Sequence, residues 1–165
     1  MKNLVLIGLP GCGKSTVGKR LAMELNLSFY DCDAEIEGKV GKKVEEIFAE
    51  REEKFFRDQE SEILAKALEK PGKVIATGGG IVLCEENREL LKRATVVFLD
   101  RQVNSILSTC DLAGRPLMKT KSLEQLSRER RALYLSCADY VVTAEDPEET
   151  TMEIIGYWRE GRCAF

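Results

Sequence analysis

Residues 8–15 form the segment of the chain whose residue types and spacing most clearly suggest chemistry. They read GLPGCGKS and match the pattern GxxxxGK(S/T) at every fixed position. An apolar run precedes the segment and a helical pattern follows it, so the glycines can turn backbone N–H groups toward a phosphate. Lys14 can then reach the β- and γ-phosphates of a nucleotide, and the Ser15 hydroxyl can bind magnesium.

The sequence therefore predicts nucleotide binding by this phosphate loop (residues 8–15), and a glycine turn without a ligand is the alternative. We expect the phosphates to contact the positive end of the following helix as well as the loop. The motif alone does not specify which reaction follows. The expected contacts are Gly11, Cys12, Gly13, Lys14, Ser15 and Thr16.

Two carboxylates follow the predicted second strand, in the sequence Asp31-Cys32-Asp33. Ligands bind at the carboxyl edge of an open α/β sheet, where the phosphate loop also lies. If this segment is extended, residues two apart point the same way and both carboxylates face the cleft. One could then hold a magnesium ion and the other a substrate hydroxyl. The alternative is that Asp33 caps the next helix.

A glycine run and several arginines are further candidates. Gly78, Gly79 and Gly80 follow a buried strand, which indicates either close backbone approach to a ligand or a tight turn. Arg57 lies in a heavily charged helix next to apolar residues that predict an inward face. A single arginine in such a helix is a surface residue by default.

Two other arginine segments could meet anions. Arg115 lies in a polar loop, residues 111–121, where a closing lid could bring it to transferring phosphate charge. Residues 128–131 form a basic cluster on a predicted helix, and one of them could clamp a carboxylate through its planar fork. Exposure to solvent is the ordinary alternative for each of these arginines.

The elements that must position these residues alternate between short apolar runs and longer amphipathic stretches. Strands are predicted at residues 4–7, 28–30, 73–77, 95–99 and 140–143. Helices are predicted from the phosphate loop to about 25, over about 33–70 with a break near 38–41, over 85–93, to about 110, and over 123–135 and 148–159. This alternation favours a parallel sheet covered on both faces.

Composition limits the function classes. A chain of 165 residues suits one domain spanning 1–165, and its net charge of −3 argues against a nucleic-acid partner. The first apolar run stops at a glycine turn, and no stretch approaches the roughly 20 apolar residues that span a bilayer. We therefore expect neither a signal peptide nor a membrane segment. Six cysteines without CxxC spacing predict reduced thiols in a cytoplasmic protein, and histidine chemistry is excluded because the chain has none.

Taken together, the segments GLPGCGKST, DCD, FFRDQE, ATGGG, RPL and the ERxxLY pattern resemble the shikimate kinase family in order and in approximate spacing. The resemblance covers nearly the whole chain. It implies a three-layer α/β P-loop kinase fold with a five-stranded parallel sheet of the nucleoside-monophosphate-kinase type. It also implies a substrate-binding region at about 31–62 and a lid at about 109–122.

The resemblance implies ATP and Mg²⁺ as cofactors and transfer of the γ-phosphoryl group of ATP to the 3-hydroxyl of shikimate. On the donor side, Lys14 matches the phosphate-binding lysine, Ser15 and Asp31 match the magnesium positions, and Arg115 matches the lid arginine that meets the phosphates. Lys14, Asp33 and Arg115 form the implied catalytic set.

On the acceptor side, the resemblance implies that Asp33 holds the shikimate hydroxyls and that Arg57 and Arg130 bind its carboxylate. Backbone contacts are implied for Gly79 and Gly80, and apolar contacts beside the ring for Phe48 and Phe56. Several positions depart from the family pattern, among them Arg51 in place of a glycine and Ala132 in place of a proline. Two others, Ser108 and Glu145, stand where relatives can carry arginines near the adenine.

Competing interpretations remain at this point. A related kinase acting on gluconate would use a similar carboxylate and similar hydroxyls, whereas a nucleotide acceptor would need a base pocket that no feature indicates. A non-catalytic nucleotide-binding switch would tolerate loss of Asp33 and Arg57. We expect a monomer that acts on a small molecule.

Overall fold

The computed structural model describes residues 2–109 and 121–163. Within these residues, five parallel strands form one sheet in the order β2-β3-β1-β4-β5. This arrangement confirms the predicted five-stranded parallel sheet. The strands are β1 Leu4–Ile7, β2 Ser28–Asp31, β3 Lys73–Ala76, β4 Thr95–Leu99 and β5 Tyr140–Val142.

Eight α-helices connect or follow these strands in the described part of the chain, and a 3-10 helix, Ile81–Leu83, follows β3. The α-helices are α1 Lys14–Leu25, α2 Cys32–Val40, α3 Val44–Glu50, α4 Glu53–Leu68, α5 Glu85–Leu91, α6 Val103–Thr109, α7 Leu123–Cys137 and α8 Pro147–Cys163.

The order of the strands divides the helices between the two faces of the sheet. The connection through α1 crosses from β1 to β2 in one direction, and the later connections step in the opposite direction. Because such crossovers are right-handed, the two directions cover opposite faces. In agreement, α1 packs against α8, whereas α4 packs against α5 and α7 packs against α6. The result is a three-layer α/β structure.

The core lies where the central strands meet both helix layers. All four residues of β1 are buried, and so are the last four of β4, as expected for strands covered on both faces. These apolar runs fix the sheet, and the carboxyl ends of its strands then meet along one edge. The phosphate loop leaves β1 at that edge.

The long predicted helix over about 33–70 is three helices instead of two. The break near 38–41 is present, because Gly41 ends α2 with φ of +77°. A second break was not predicted: Arg51 is extended at the end of α3, and α4 begins at Glu53. Charged residues occupy this second junction, and no glycine or proline marks it in the sequence.

The cysteines whose side chains the structure describes carry no disulfide: Cys12 and Cys32 are buried, and Cys84 and Cys137 are partly buried. Within residues 2–109 and 121–163, none of the helices has both the length and the apolar composition needed to cross a bilayer.

Asn3 holds the amino-terminal end of the sheet together. Its side chain donates to the carbonyl of Lys70 at 3.1 Å and accepts from the backbone N–H of Lys73 at 2.9 Å. Its own carbonyl accepts from the N–H of Thr95 at 2.9 Å. Asn3 is almost fully buried, so these bonds join the end of α4, β3 and β4 beneath the surface of the sheet's end.

We predict that Asn3→Ala lowers the free energy of unfolding by about 1–3 kcal/mol, because both hydrogen bonds of the Asn3 side chain are lost. Urea denaturation followed by circular dichroism measures the change. Asn104→Ala, at an exposed position of α6, is the control and should change the free energy by less than about 0.5 kcal/mol. Equal stabilities of the wild type and Asn3→Ala would contradict the bridging role.

Candidate active site

The phosphate loop has the local geometry of an anion site. Gly13 precedes α1 with φ of +98°, a backbone conformation that favours glycine. The N–H of Cys12 donates to the carbonyl of Leu9 at 3.2 Å and closes the turn. The Lys14 ammonium group is buried and donates to the carbonyls of Gly8 and Leu9 at 2.7 and 2.8 Å. A fixed positive charge therefore adjoins the positive end of a helix.

A cleft of about 160 Å³ lies beside this loop. Three separate parts of the chain form its walls: the phosphate loop with the start of α1, the junction of β2 and α2, and the end of β3. The two carboxylates predicted to face the loop both line this cleft. Its walls include Pro10, Gly11, Gly13, Lys14, Ser15, Thr16, Asp31, Asp33, Thr77 and Gly79.

Asp31 and Asp33 reach the cleft in a way that corrects the sequence interpretation. The segment is not extended throughout, because Asp33 lies in the first turn of α2. Asp31 caps this helix, not Asp33: its Oδ1 accepts from the N–H groups of Asp33 at 3.1 Å and Ala34 at 3.2 Å. Its Oδ2 accepts from the Ser15 hydroxyl at 2.6 Å. Asp31 therefore caps α2 and lines the cleft at the same time.

Arg57 lies at the inner edge of α4 and is not a solvated surface arginine. Only 17% of its side chain is exposed, and its guanidinium group pairs with Glu60 at 2.5 Å and Glu53 at 3.1 Å. The rings of Phe48 and Phe56 lie 6.0 and 5.5 Å from it. Burial lowers the pKa of Arg57, but the two carboxylates outweigh this effect and raise it above its ordinary value. The group is therefore a fixed cation.

Glu60 is a site residue that the sequence interpretation missed. Its side chain is 1% exposed, and its Oε1 has no hydrogen-bond partner among the described residues. Burial raises its pKa most strongly, Arg57 opposes that effect, Asp33 adds to it and Arg130 opposes it. The ion pair of Glu60 with Arg57, and the position of Glu60 Oε1 and Asp33 Oδ1 next to Gly78, bring these charged groups together. A signal existed in the sequence, since Glu60 follows Arg57 by three residues on one helix.

Arg130 brings α7 into the same cluster. It is one of the largest fully buried side chains, and its Nε and Nη1 atoms have no hydrogen-bond partner among the described residues. A buried guanidinium with unsatisfied donors suits an anionic ligand, because an unpaired buried charge is costly. Of the basic cluster at 128–131, Arg130 alone is fully buried, and Arg131 pairs with Asp100 at 2.7 Å on the surface.

Tyr134, one helical turn after Arg130, connects α7 to the glycine run. Its hydroxyl donates to the carbonyl of Gly79 at 2.5 Å, and its ring lies 5.0 Å from the ring of Phe98. Burial raises the pKa of this phenol, so the hydroxyl stays protonated and can donate. The sequence interpretation gave Tyr134 no role, although it lies on the same helix face as Arg130.

The three glycines form a turn that other parts of the protein approach closely, and their predicted contact with a ligand stays a prediction. A β-carbon at Gly78 would lie 2.5 Å from Glu60 Oε1 and 3.0 Å from Asp33 Oδ1. At Gly79 it would lie 2.8 Å from the ring of Pro10, and at Gly80 it would overlap the guanidinium group of Arg57. The run therefore passes between the phosphate loop and the charged cluster with no room for side chains.

Two other predicted residues, Ser108 and Glu145, make hydrogen bonds outside this cluster. Arg115 lies outside the described residues, as does most of the predicted lid. The Ser108 hydroxyl donates to the carbonyl of Ser105 at 2.9 Å within its own helix. Glu145 accepts from Arg101 Nε at 3.0 Å and from the N–H of Gln102 at 3.2 Å, and so joins the loops after β4 and β5.

The residues present fit magnesium bound together with phosphate oxygens. Ser15 and Asp31 offer a hydroxyl and a carboxylate, which are oxygen ligands that magnesium prefers. Within residues 2–109 and 121–163, no group of three or more Asp, Glu, Cys or His side chains could hold a metal alone. Nucleotide oxygens or water would therefore have to complete the coordination.

Known proteins of one family match this chain. The family model for shikimate kinase matches residues 10–157. A curated shikimate kinase of Clostridium botulinum (strain Eklund 17B) is 43% identical over 159 residues, which are 93% of this chain and 96% of that protein. A shikimate kinase of Persephonella marina is 38% identical over 162 residues, with 94% and 98% covered.

Solved structures agree with the sequence matches. The shikimate kinase from Acinetobacter baumannii in complex with shikimate has a TM-score of 0.91 and 34% identity, with 98% of this chain and 94% of that chain covered. The shikimate kinase from Aquifex aeolicus has a TM-score of 0.83 and 38% identity, with 99% of both chains covered. Sequence, fold and site geometry thus lead to one conclusion: the chain belongs to the shikimate kinase family.

Proposed function

We propose that this chain transfers the γ-phosphoryl group of ATP to the 3-hydroxyl of shikimate. The observation that supports this most strongly is the cluster of Asp33, Arg57, Glu60 and Arg130 beside the phosphate loop. The loop suits a nucleotide, the carboxylate of Asp33 suits a hydroxyl, and the two arginines suit a small acid. Membership of the shikimate kinase family supports the same acceptor.

On the donor side, we assign phosphate binding to the N–H groups of the loop and the first turn of α1, from Gly11 to Thr16. Lys14 neutralises the charge of the β- and γ-phosphates, where the transferring group gathers negative charge. Magnesium, when bound, neutralises further phosphate charge, and Ser15 and Asp31 are the residues that would hold it.

On the acceptor side, Arg57 and Arg130 bind the shikimate carboxylate through charged hydrogen bonds. The buried, unsatisfied donors of Arg130 support this role. Glu60 is a positioning residue: its ion pair with Arg57 fixes one end of the pocket. We assign backbone contacts with the substrate to Gly79 and Gly80, since Gly79 lines the cleft and Gly80 packs against the guanidinium group of Arg57.

Asp33 orients the nucleophilic hydroxyl and accepts its proton as the bond to the γ-phosphorus forms. Its position in the wall of the same cleft as Lys14 and Ser15 supports this role. Phosphoryl transfer depends chiefly on positioning and charge neutralisation, so a carboxylate that aligns the hydroxyl contributes even before it takes a proton.

Three further assignments follow from the family resemblance. Arg115 meets the transferring phosphate from a lid at about 109–122, and closure of that lid excludes water. The chain works as a single kinase domain over 1–165. We also infer a cytoplasmic monomer without nucleic-acid or membrane partners, and the net charge of −3 agrees with this.

The proposed function is tested by ADP release from ATP with shikimate, gluconate or a nucleoside monophosphate as acceptor. We predict turnover with shikimate, and in Asp33→Asn a kcat lower by at least about 100-fold with ATP affinity retained. Glu35→Gln, an exposed carboxylate in the same helical turn, is the control and should keep full activity. Faster turnover with another acceptor would identify that acceptor as the substrate in place of shikimate. No turnover with any acceptor would favour a nucleotide-binding protein without kinase activity.

For Arg57→Ala, we predict shikimate binding weaker by about 2–4 kcal/mol, because a charged, partly buried partner of the carboxylate is lost. Calorimetric titration with shikimate measures this change. Lys54→Ala is the matched control, since Lys54 lies one turn earlier on α4 in an exposed pair with Asp58. An unchanged dissociation constant in Arg57→Ala would contradict the assignment.

For Tyr134→Phe, we predict a KM for shikimate about five- to tenfold higher, because one hydrogen bond that holds the glycine run is lost while the ring still packs. The KM for ATP should stay within about twofold, since the phosphate loop keeps its own turn contacts. Tyr157→Phe removes a hydroxyl that bonds an exposed glutamate and serves as the control. Equal rises in both KM values would instead indicate a general loss of structure.

A further inference from the structure

We propose that Asp31 is a positioning residue for the acceptor as well as a ligand on the magnesium side. One carboxylate then helps to bind the metal and also orients Asp33, which is proposed to hold the acceptor hydroxyl. This inference rests on the proposed function of the site and extends it. The family resemblance assigns Asp31 only to the neighbourhood of the metal. The hydrogen bonds of its two oxygens indicate a second role.

The two oxygens of Asp31 point to different parts of the site. Oδ2 accepts from the Ser15 hydroxyl at 2.6 Å, on the side of the phosphate loop. Oδ1 accepts from the backbone N–H groups of Asp33 and Ala34 at 3.1 and 3.2 Å, on the side of α2. A carboxylate has enough lone pairs to serve both sides at once.

The Oδ1 contacts act directly on the residue proposed to hold the shikimate hydroxyl. Asp31 is the last residue of β2, with extended backbone, and α2 begins at the next residue. The first N–H groups of a helix have no partner within the helix, so the cap orders the first turn. Asp33 lies in that turn, and its own N–H is one of the two groups held.

Packing alone does not replace this cap. Cys32 and Ile36 are fully buried and anchor the inward face of α2. The Asp33 side chain, by contrast, is only partly buried and lines the cleft. It projects from the first turn of α2, whose N–H groups at Asp33 and Ala34 are held by Asp31.

Two substitutions separate the roles of Asp31. Asn caps a helix about as well as Asp but lacks the charge that a magnesium ion prefers. Glu keeps the charge, but its longer side chain is not among the favoured caps. If Asp31 positions Asp33 through the cap, Asp31→Glu should weaken shikimate binding and Asp31→Asn should not.

The experiment is calorimetric titration of shikimate into each full-length variant with EDTA present and without nucleotide. We expect the dissociation constant for shikimate to rise about fivefold in Asp31→Glu, which corresponds to the free energy of one lost helix cap. In Asp31→Asn it should stay within about twofold of the wild-type value. A second titration with ADP, with and without Mg²⁺, should show Mg²⁺-dependent affinity about tenfold weaker in Asp31→Asn and in Ser15→Ala.

Asp146→Ala is the matched control, since Asp146 caps α8 through the N–H groups of Glu148 and Glu149. It should lower the melting temperature and leave shikimate affinity unchanged, because α8 carries none of the proposed acceptor residues. Wild-type shikimate affinity in Asp31→Glu, or lost affinity in Asp31→Asn, would overturn the inference. Failure of the proposed function would give a different result from failure of this inference, because the wild type itself would then neither bind nor phosphorylate shikimate.

Discussion

Gly79 lies so close to Pro10 that the two loops following β1 and β3 are in direct contact. The contact follows from the sheet, in which β1 and β3 are parallel neighbours and Leu6 pairs with Ala76. Just beyond β3, Thr77 donates to the carbonyl of Leu6 through both its backbone N–H at 3.3 Å and its hydroxyl at 2.8 Å. The rest of the site depends on this junction, because it fixes the nucleotide loop against the acceptor loop.

The charged cluster next to this junction contains two guanidinium groups and two carboxylates, but its hydrogen bonds are unevenly shared. Glu60 is buried and pairs with Arg57, while Arg130 is buried with two unsatisfied nitrogen atoms. Buried ion pairs contribute little net stability, because desolvation offsets their attraction. The contribution of Glu60 is geometric, because it holds the guanidinium group of Arg57 in place. The unsatisfied donors of Arg130 suit the carboxylate of a small acid.

Much of the fold and part of the site could be predicted from the sequence. The phosphate loop has fixed residue types at fixed spacing, and strand β4 was predicted to the residue because its apolar run is bounded by polar residues. Asp33 was a candidate because it follows a strand at the edge where the phosphate loop lies, whereas the role of Arg57 came from the family resemblance, since a lone arginine carries no pattern of its own. Their convergence depends on long-range packing, which local sequence does not encode.

The features that sequence interpretation missed have physical reasons. Asp33 was taken as extended because the sequence does not show where the strand ends and the helix begins. The capping residue is Asp31, two residues before Asp33, so Asp33 already lies in the first turn of α2. Glu60 was overlooked because a glutamate in a charged helix is ordinarily solvated. Tyr134 was given no role because the contact of its hydroxyl with the Gly79 carbonyl joins residues 55 positions apart in the chain.

The double hydrogen bond from Thr77 to Leu6 has a consequence for how this architecture can change over time. It joins the residue after β3 to β1 just before the nucleotide loop, whereas the proposed acceptor side chains lie on the separate helices α2, α4 and α7. Substitutions on those helices can reshape the pocket for another small acid without disturbing the phosphate donor. Selection for a new acceptor would therefore act on the periphery of the sheet, and the centre would be inherited unchanged.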